Sequence, residues 1–290
     1  MRTLLLSLVL ALAAGAQTQA IMLGSGTPNA EPDRSGPAAA VVVNGAAYLV
    51  DAGPGVVRRA KAAALAGHPA LRLPNISHVF FTHLHSDHTL GYPDLIFTPW
   101  VLGRRAPLEA YGPPGLAAMT AAIERAWTQD IAIRTDGLEH ANRTGYKVNV
   151  HEILPGVIYH DANVTITAFA VHHGSWPHAY GYRFQTADRV IVFSGDTSPV
   201  AAVAKACNGC DLLFHEAYNP QGRITPAWRT YMQSFHTSAT ELAAIARAAH
   251  PKLLVIDHNM FEGRPPTELL AEVQAGYKGR VVMAQDLAVY

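Results

Sequence analysis

"VFFTHLHSDHTLG", Val79 to Gly91, places three histidines and an aspartate within six residues, directly behind an apolar run built for burial. In His83-Leu84-His85-Ser86-Asp87-His88, side chains two apart on an extended chain share one side, and a following turn brings Asp87 and His88 to a second position. Neutral imidazole and carboxylate are suitable zinc ligands. Packed together without a cation, these groups would repel, titrate or stay unsatisfied. The spacing therefore reads as a metal-binding strand end rather than as solvated loop histidines.

Other apolar runs end the same way. Ile166–Val171 leads to His172 and His173, and Val190–Phe193 to Asp196. Leu212–Phe214 leads to His215 and Glu216, and Leu253–Ile256 to Asp257 and His258. Strand-end loops on one sheet edge are where layered α/β folds gather their sites. Ala39–Val43, Asn44-Gly45 and Ala46–Val50 read as a hairpin with a type I′ turn. Helices are expected over Gly55–Ala66, Gly115–Thr128, Ser198–Ala206, Ser238–Ala249 and Pro266–Ala275. The segment from Pro99 to Asp161 carries the weakest pattern and is expected to cover one side of the cleft.

The chain has 290 residues, is 49% hydrophobic and has zero formal net charge, enough apolar content for one large core. Zero charge leaves no basic footprint for RNA or DNA, so no nucleic-acid partner is expected. Arg2, the apolar run Leu4–Ala14 and Ala14-Gly15-Ala16 read as a signal peptide over 1–16, followed by one domain over 17–290. The expected location is periplasmic or secreted, without a membrane span. Cys207-Asn208-Gly209-Cys210 reads as a local disulfide in that compartment.

The HxHxDH box resembles the metallo-β-lactamase superfamily. "LGSGTP" (23–28), "YLVDAGPG" (48–55), "FSGDT" (193–197), "LFHEAY" (213–218), "FHTSATELAAIA" (235–246) and "LLVIDHN" (253–259) follow in that family's order. The "HEA" and "HTSA" boxes are similar to the branch containing tRNase Z and zinc-dependent arylsulfatases and phosphodiesterases. The implied fold is a four-layer αββα sandwich with a two-metal site on one edge.

Carried onto this sequence, the resemblance implies that His83, His85 and His173 bind one metal and that Asp87, His88 and His258 bind a second, with Asp196 bridging. His172 competes with His173 for its place. Asp51 is implied to support the metal-site loop. Two zinc ions are expected, with manganese or iron as substitutes; a water acidified between them would attack, and Asp87 would help hold it. His236 would be the general acid, oriented by Glu216. From the residues alone, His236 also fits the approach to a helix cap at Ser238 with Glu241.

The branch's tRNA-clasping arm has no room in the short stretch from His173 to Asp196, and Arg34-Ser35 stands where an Arg-Asn pair is usual. With zero net charge, these departures lead to a small anionic ester as the expected substrate, a phosphodiester or sulfate ester cleaved outside the cytoplasm. β-Lactam or lactone opening is the alternative. tRNA 3′ processing and a non-catalytic zinc-binding role rank below both. Trp176, Trp228, Tyr231 and Phe235 are either a pocket rim or loop packing, and the branch leaves a homodimer open.

Overall fold

The structure is a computed structural model that describes residues 17–222 and 225–290. The expected signal peptide, 1–16, lies outside the described residues. The first half builds one sheet from β1 (Gln19–Gly24), β2 (Ala38–Val43), β3 (Ala46–Val50), β4 (His78–Phe80), β5 (Leu108–Gly112) and β6 (Val148–Glu152), in that spatial order. The second sheet comprises β7 (Gly156–His160), β8 (Thr165–Ala170), β9 (Tyr180–Gln185), β10 (Val190–Phe193), β11 (Leu212–Tyr218), β12 (Leu253–Met260) and β13 (Val281–Met283). Its strands lie side by side in sequence order.

Alternation sorts the side chains into layers. Ala20 and Met22 of β1 face the second sheet, joining Phe80, Tyr182, Phe193 and Phe214 in the central core. Ile21 and Leu23 face outward, against α1 (Val56–Leu65) and, beyond the single turn α2 (Ser86–Thr89), α3 (Tyr92–Val101). α4 (Leu116–Ala126) and α5 (Thr128–Asp136) complete that flank. On the far side Val192, Leu213 and Leu254 pack against α6 (Ala201–Cys207), α8 (Ala239–Ala249) and α9 (Pro266–Gly276). Both faces of the central strands are buried, which is why they read as unbroken apolar runs. The αββα sandwich is the fold expected.

The hairpin joining β2 and β3 turns at Asn44 (φ 49°) and Gly45 (φ 80°), as the type I′ geometry requires. Cys207 and Cys210 are bonded at the end of α6. Among the described residues no helix is long and apolar enough to cross a membrane.

The segment Pro99–Asp161 corrects the expectation placed on it. It supplies β5, β6 and the edge strand β7 in addition to α4 and α5, so it extends both sheets instead of merely covering the cleft. Buried Arg104 ties it down by donating to the carbonyls of Leu95, Ile96 and Gly145. The stretch from His173 to Asp196 is taken up by the antiparallel pair β9–β10 inside the second sheet.

Candidate metal centre

β3, β4 and β5 run parallel, as do β10, β11 and β12, so their carboxyl ends reach one edge together. The loops leaving β4, β8, β10 and β12 carry or border the histidines and aspartates singled out above.

His83 Nε2 and His173 Nε2 each lie 3.0 Å from His85 Nδ1, and Asp196 completes this group. Asp87, His88 and His258 form a second: Asp87 Oδ2 is 3.2 Å from His258 Nε2 and 3.5 Å from His88 Nε2. Asp196 stands between the two. Its Oδ1 is 3.5 Å from His88 Nε2, and its Oδ2 is 3.5 Å from His258 Nε2 and 4.0 Å from His83 Nε2. His173, not His172, enters the cluster; His172 is exposed, with Nδ1 2.9 Å from Ser198 Oγ.

The surrounding bonds aim these rings. Asp51 accepts from the backbone and hydroxyl of Thr82 at 2.8 and 2.9 Å and from His88 Nδ1 at 2.8 Å, so the lone pair of His88 points inward at Nε2. His173 Nδ1 donates to the carbonyl of Phe235 at 2.8 Å, with the same effect on its Nε2. Asp51 (φ 59°) and His258 (φ 41°) sit in the left-handed region, a backbone strain concentrated at this edge. Sequence reading missed Thr82, whose position directly before His83 was the available signal. Trp176, read as either pocket rim or loop packing, reaches the cluster itself: its Nε1 lies 2.7 Å from His85 Nε2.

A divalent cation fits these donors. His88 Nε2 is buried with no hydrogen-bond partner among the described residues. Burial by itself would lower the proton affinity of His88, but Asp196, Asp51 and Asp87 raise it well above the usual imidazole range. Against the same burial, Asp196 and Asp87 push His258 up to about 9. Burial raises Asp196, while His258 and His88 hold it well below the usual carboxylate range. The carboxylates thus require positive charge beside them, and inward-facing imidazoles with a bridging carboxylate meet a metal's needs.

A third group borders the cluster. His236 Nδ1 donates to Glu216, 2.9 Å from Oε1 and 3.0 Å from Oε2, and lies 4.0 Å from Asp196 Oδ2. Glu216 also accepts from the backbone N–H of Thr197 at 2.7 Å. Burial lowers His236 to about 4 and, with Asp196 nearby, raises Glu216 well above its usual range. The helix-cap reading of this segment holds as well: Ser238 and Glu241 form a capping box on α8, two residues beyond His236. His215, buried within β11, is only half satisfied. Its Nδ1 donates to the Glu216 carbonyl at 2.8 Å, while Nε2 has no partner among the described residues.

A two-sheet sandwich with a histidine–aspartate cluster on one edge defines a metal-dependent hydrolase of the metallo-β-lactamase fold. The chain belongs to the β-lactamase superfamily, whose domain pattern matches residues 47–259, and within it to the tRNase Z branch. A ribonuclease Z from Mycobacterium sp. (strain KMS) is 33% identical over 278 residues, covering 92% of this chain and 93% of that protein. Solved structures that share the fold include the following two. YhfI from Bacillus subtilis has a TM-score of 0.72 at 19% identity, covering 94% of this chain and 99% of its own. The short form of human tRNase Z has a TM-score of 0.68 at 24% identity, covering 94% and 98%.

These relatives correct two expectations. The expected preference for small phosphodiesters or sulfate esters gives way, because the relatives similar over nearly the whole chain are ribonucleases Z. The expected absence of a nucleic-acid partner falls with it. Net charge sums over the whole surface and says nothing of the local field, and a metal cluster concentrates positive charge where a phosphate would sit.

Proposed function

We propose that this chain is a metal-dependent ribonuclease of the ribonuclease Z type, hydrolysing a phosphodiester bond of RNA. The similarity to ribonucleases Z over 92% of the chain carries this reading. The buried ligand cluster beside the His236–Glu216 pair supports it.

His83, His85, His173 and Asp196 would hold one zinc ion, and Asp87, His88, His258 and Asp196 a second; manganese or iron suits the same donors. Such ions, when bound, neutralise the phosphodiester and acidify a water molecule. The chain's own groups do the rest. Asp87 orients the attacking water through its carboxylate. Glu216 fixes the tautomer of His236 by accepting from Nδ1, which assigns proton transfer to the leaving oxygen to Nε2. A phosphodiester anion beside His236 raises its proton affinity, opposing the burial that lowers it in the free site.

The test is incubation of the zinc- or manganese-loaded chain with a precursor tRNA carrying a 3′ trailer. Cleavage that chelation abolishes and metal restores is expected; intact RNA with fully loaded protein overturns the reading. Location is a separate proposal. Residues 1–16 act as an export signal, and the N-terminal sequence of the protein recovered from cells tests this.

A further inference from the structure

α7 (Pro226–Phe235) leads directly into His236 and buries only Met232 of its ten residues. Its aromatic residues Trp228, Tyr231 and Phe235 recur at helical spacing and form one stripe. Their rings stack. Trp228 and Tyr231 have centroids 4.5 Å apart at 12°, and Tyr231 and Phe235 4.3 Å apart at 19°.

The inner end of this staircase is locked to the metal centre. Phe235 meets the His173 ring edge-on at 5.1 Å and rests on the backbone of Gly174, where an added Cβ would lie 2.1 Å from the ring. Tyr231 lies 6.0 Å from His236. The outer end is open: Trp228 stays 44% exposed although Tyr231 covers one face of its ring. Its indole N–H donates to Glu262 at 3.2 Å, which fixes the ring plane. Core packing explains Met232, which joins Tyr218 and Met260 in a small cluster against which half-buried Tyr231 also packs, but not the Trp228 ring that faces solvent.

We propose that the outer face of Trp228, backed by the stacked rings of Tyr231 and Phe235, is a stacking platform for an unpaired base of the RNA next to the scissile bond, an inference that rests on the ribonuclease reading above. Tyr231 and Phe235 stack behind Trp228, so the column offers the face of Trp228 turned away from Tyr231 and takes one base at its outer end. Stacking needs no net charge, and this chain has none.

The test uses the metal-loaded full chain and a single-stranded RNA decamer with phosphorothioate linkages to slow cleavage. Wild type, Trp228→Ala, Trp228→Leu and Trp228→Phe are compared for affinity across a salt series, with melting temperature and metal content as fold controls. Trp228→Ala and Trp228→Leu are expected to weaken binding roughly tenfold, while Trp228→Phe, which keeps a ring, stays near wild type. The dependence on salt should be the same in all four, because no phosphate contact is removed. Wild-type affinity in Trp228→Leu, or no binding of the decamer by wild type, overturns the platform. Binding that depends on Trp228 without cleavage of precursor tRNA would remove the proposed function and leave the platform. Cleavage with the same KM in wild type and Trp228→Ala would do the reverse.

Discussion

Asp51 and His88 are joined by a 2.8 Å hydrogen bond that fixes which histidine nitrogen faces the ligand cluster. Asp51 also accepts both donors of Thr82, so one buried carboxylate sets the loop carrying His83 and the ring of His88 together. Asp51→Ala removes the acceptor and is expected to weaken zinc binding about 10- to 100-fold. Competition with a chromogenic chelator measures this; unchanged affinity would show that the ring orients itself.

The His236–Glu216 pair is assigned to proton transfer rather than to holding metal. His236→Ala should therefore lower kcat on RNA by about 10²- to 10⁴-fold with the bound metal retained. Glu216→Gln should cost less, and the double variant should be no worse than His236→Ala, because the two act as a unit. Single-turnover cleavage with metal analysis of each variant checks both points. Loss of metal in His236→Ala would make it a ligand instead.

His215 gives a pH signature that involves no proposed ligand. Burial lowers it to about 4 from 6.5, so between those values the unfolded chain binds the proton and the folded chain does not. Its contribution is intact above pH 6.5 and is lost as the pH falls towards 4, by about 3 kcal/mol in all. His215→Phe should thus lose less melting temperature between pH 7 and pH 5 than wild type does. Parallel thermal melts decide it; equal losses would mean that His215 is not the group responsible.

Gly174, at φ 53°, carries the Phe235 ring against its backbone. Gly174→Ala adds a methyl where the ring sits and a side chain where the backbone disfavours one. The expected loss of stability is about 1–3 kcal/mol, accompanied by weaker zinc binding through His173. Calorimetry and chelator competition measure the two. A stable variant with normal metal uptake would show that α7 is not seated as described.

Much of the site was legible because HxHxDH is compact and its partners sit at strand ends. Periodicity also yielded the hairpin, α1, α4, α8 and α9. α3 was missed: "YPDLIFTPWV" is apolar nearly all round and holds Pro99 inside, so it shows no face. β6 and β7 were missed because they are short edge strands without full burial. α7 hid in what read as a loop, although Trp228, Tyr231 and Phe235 already had helical spacing. Substrate was the least legible: the short His173–Asp196 stretch, Arg34-Ser35 and zero net charge all weighed against RNA, whereas the field at the cluster is what a phosphate meets.

The metal content of the full chain, read by native mass spectrometry after zinc loading and dialysis, bears most directly on the whole reading. A mass excess of two zinc ions in wild type, reduced or absent in Asp196→Ala, is the expected result. Wild-type protein that retains no ion, and is indistinguishable from Asp196→Ala, would mean that buried protons rather than metal balance these carboxylates.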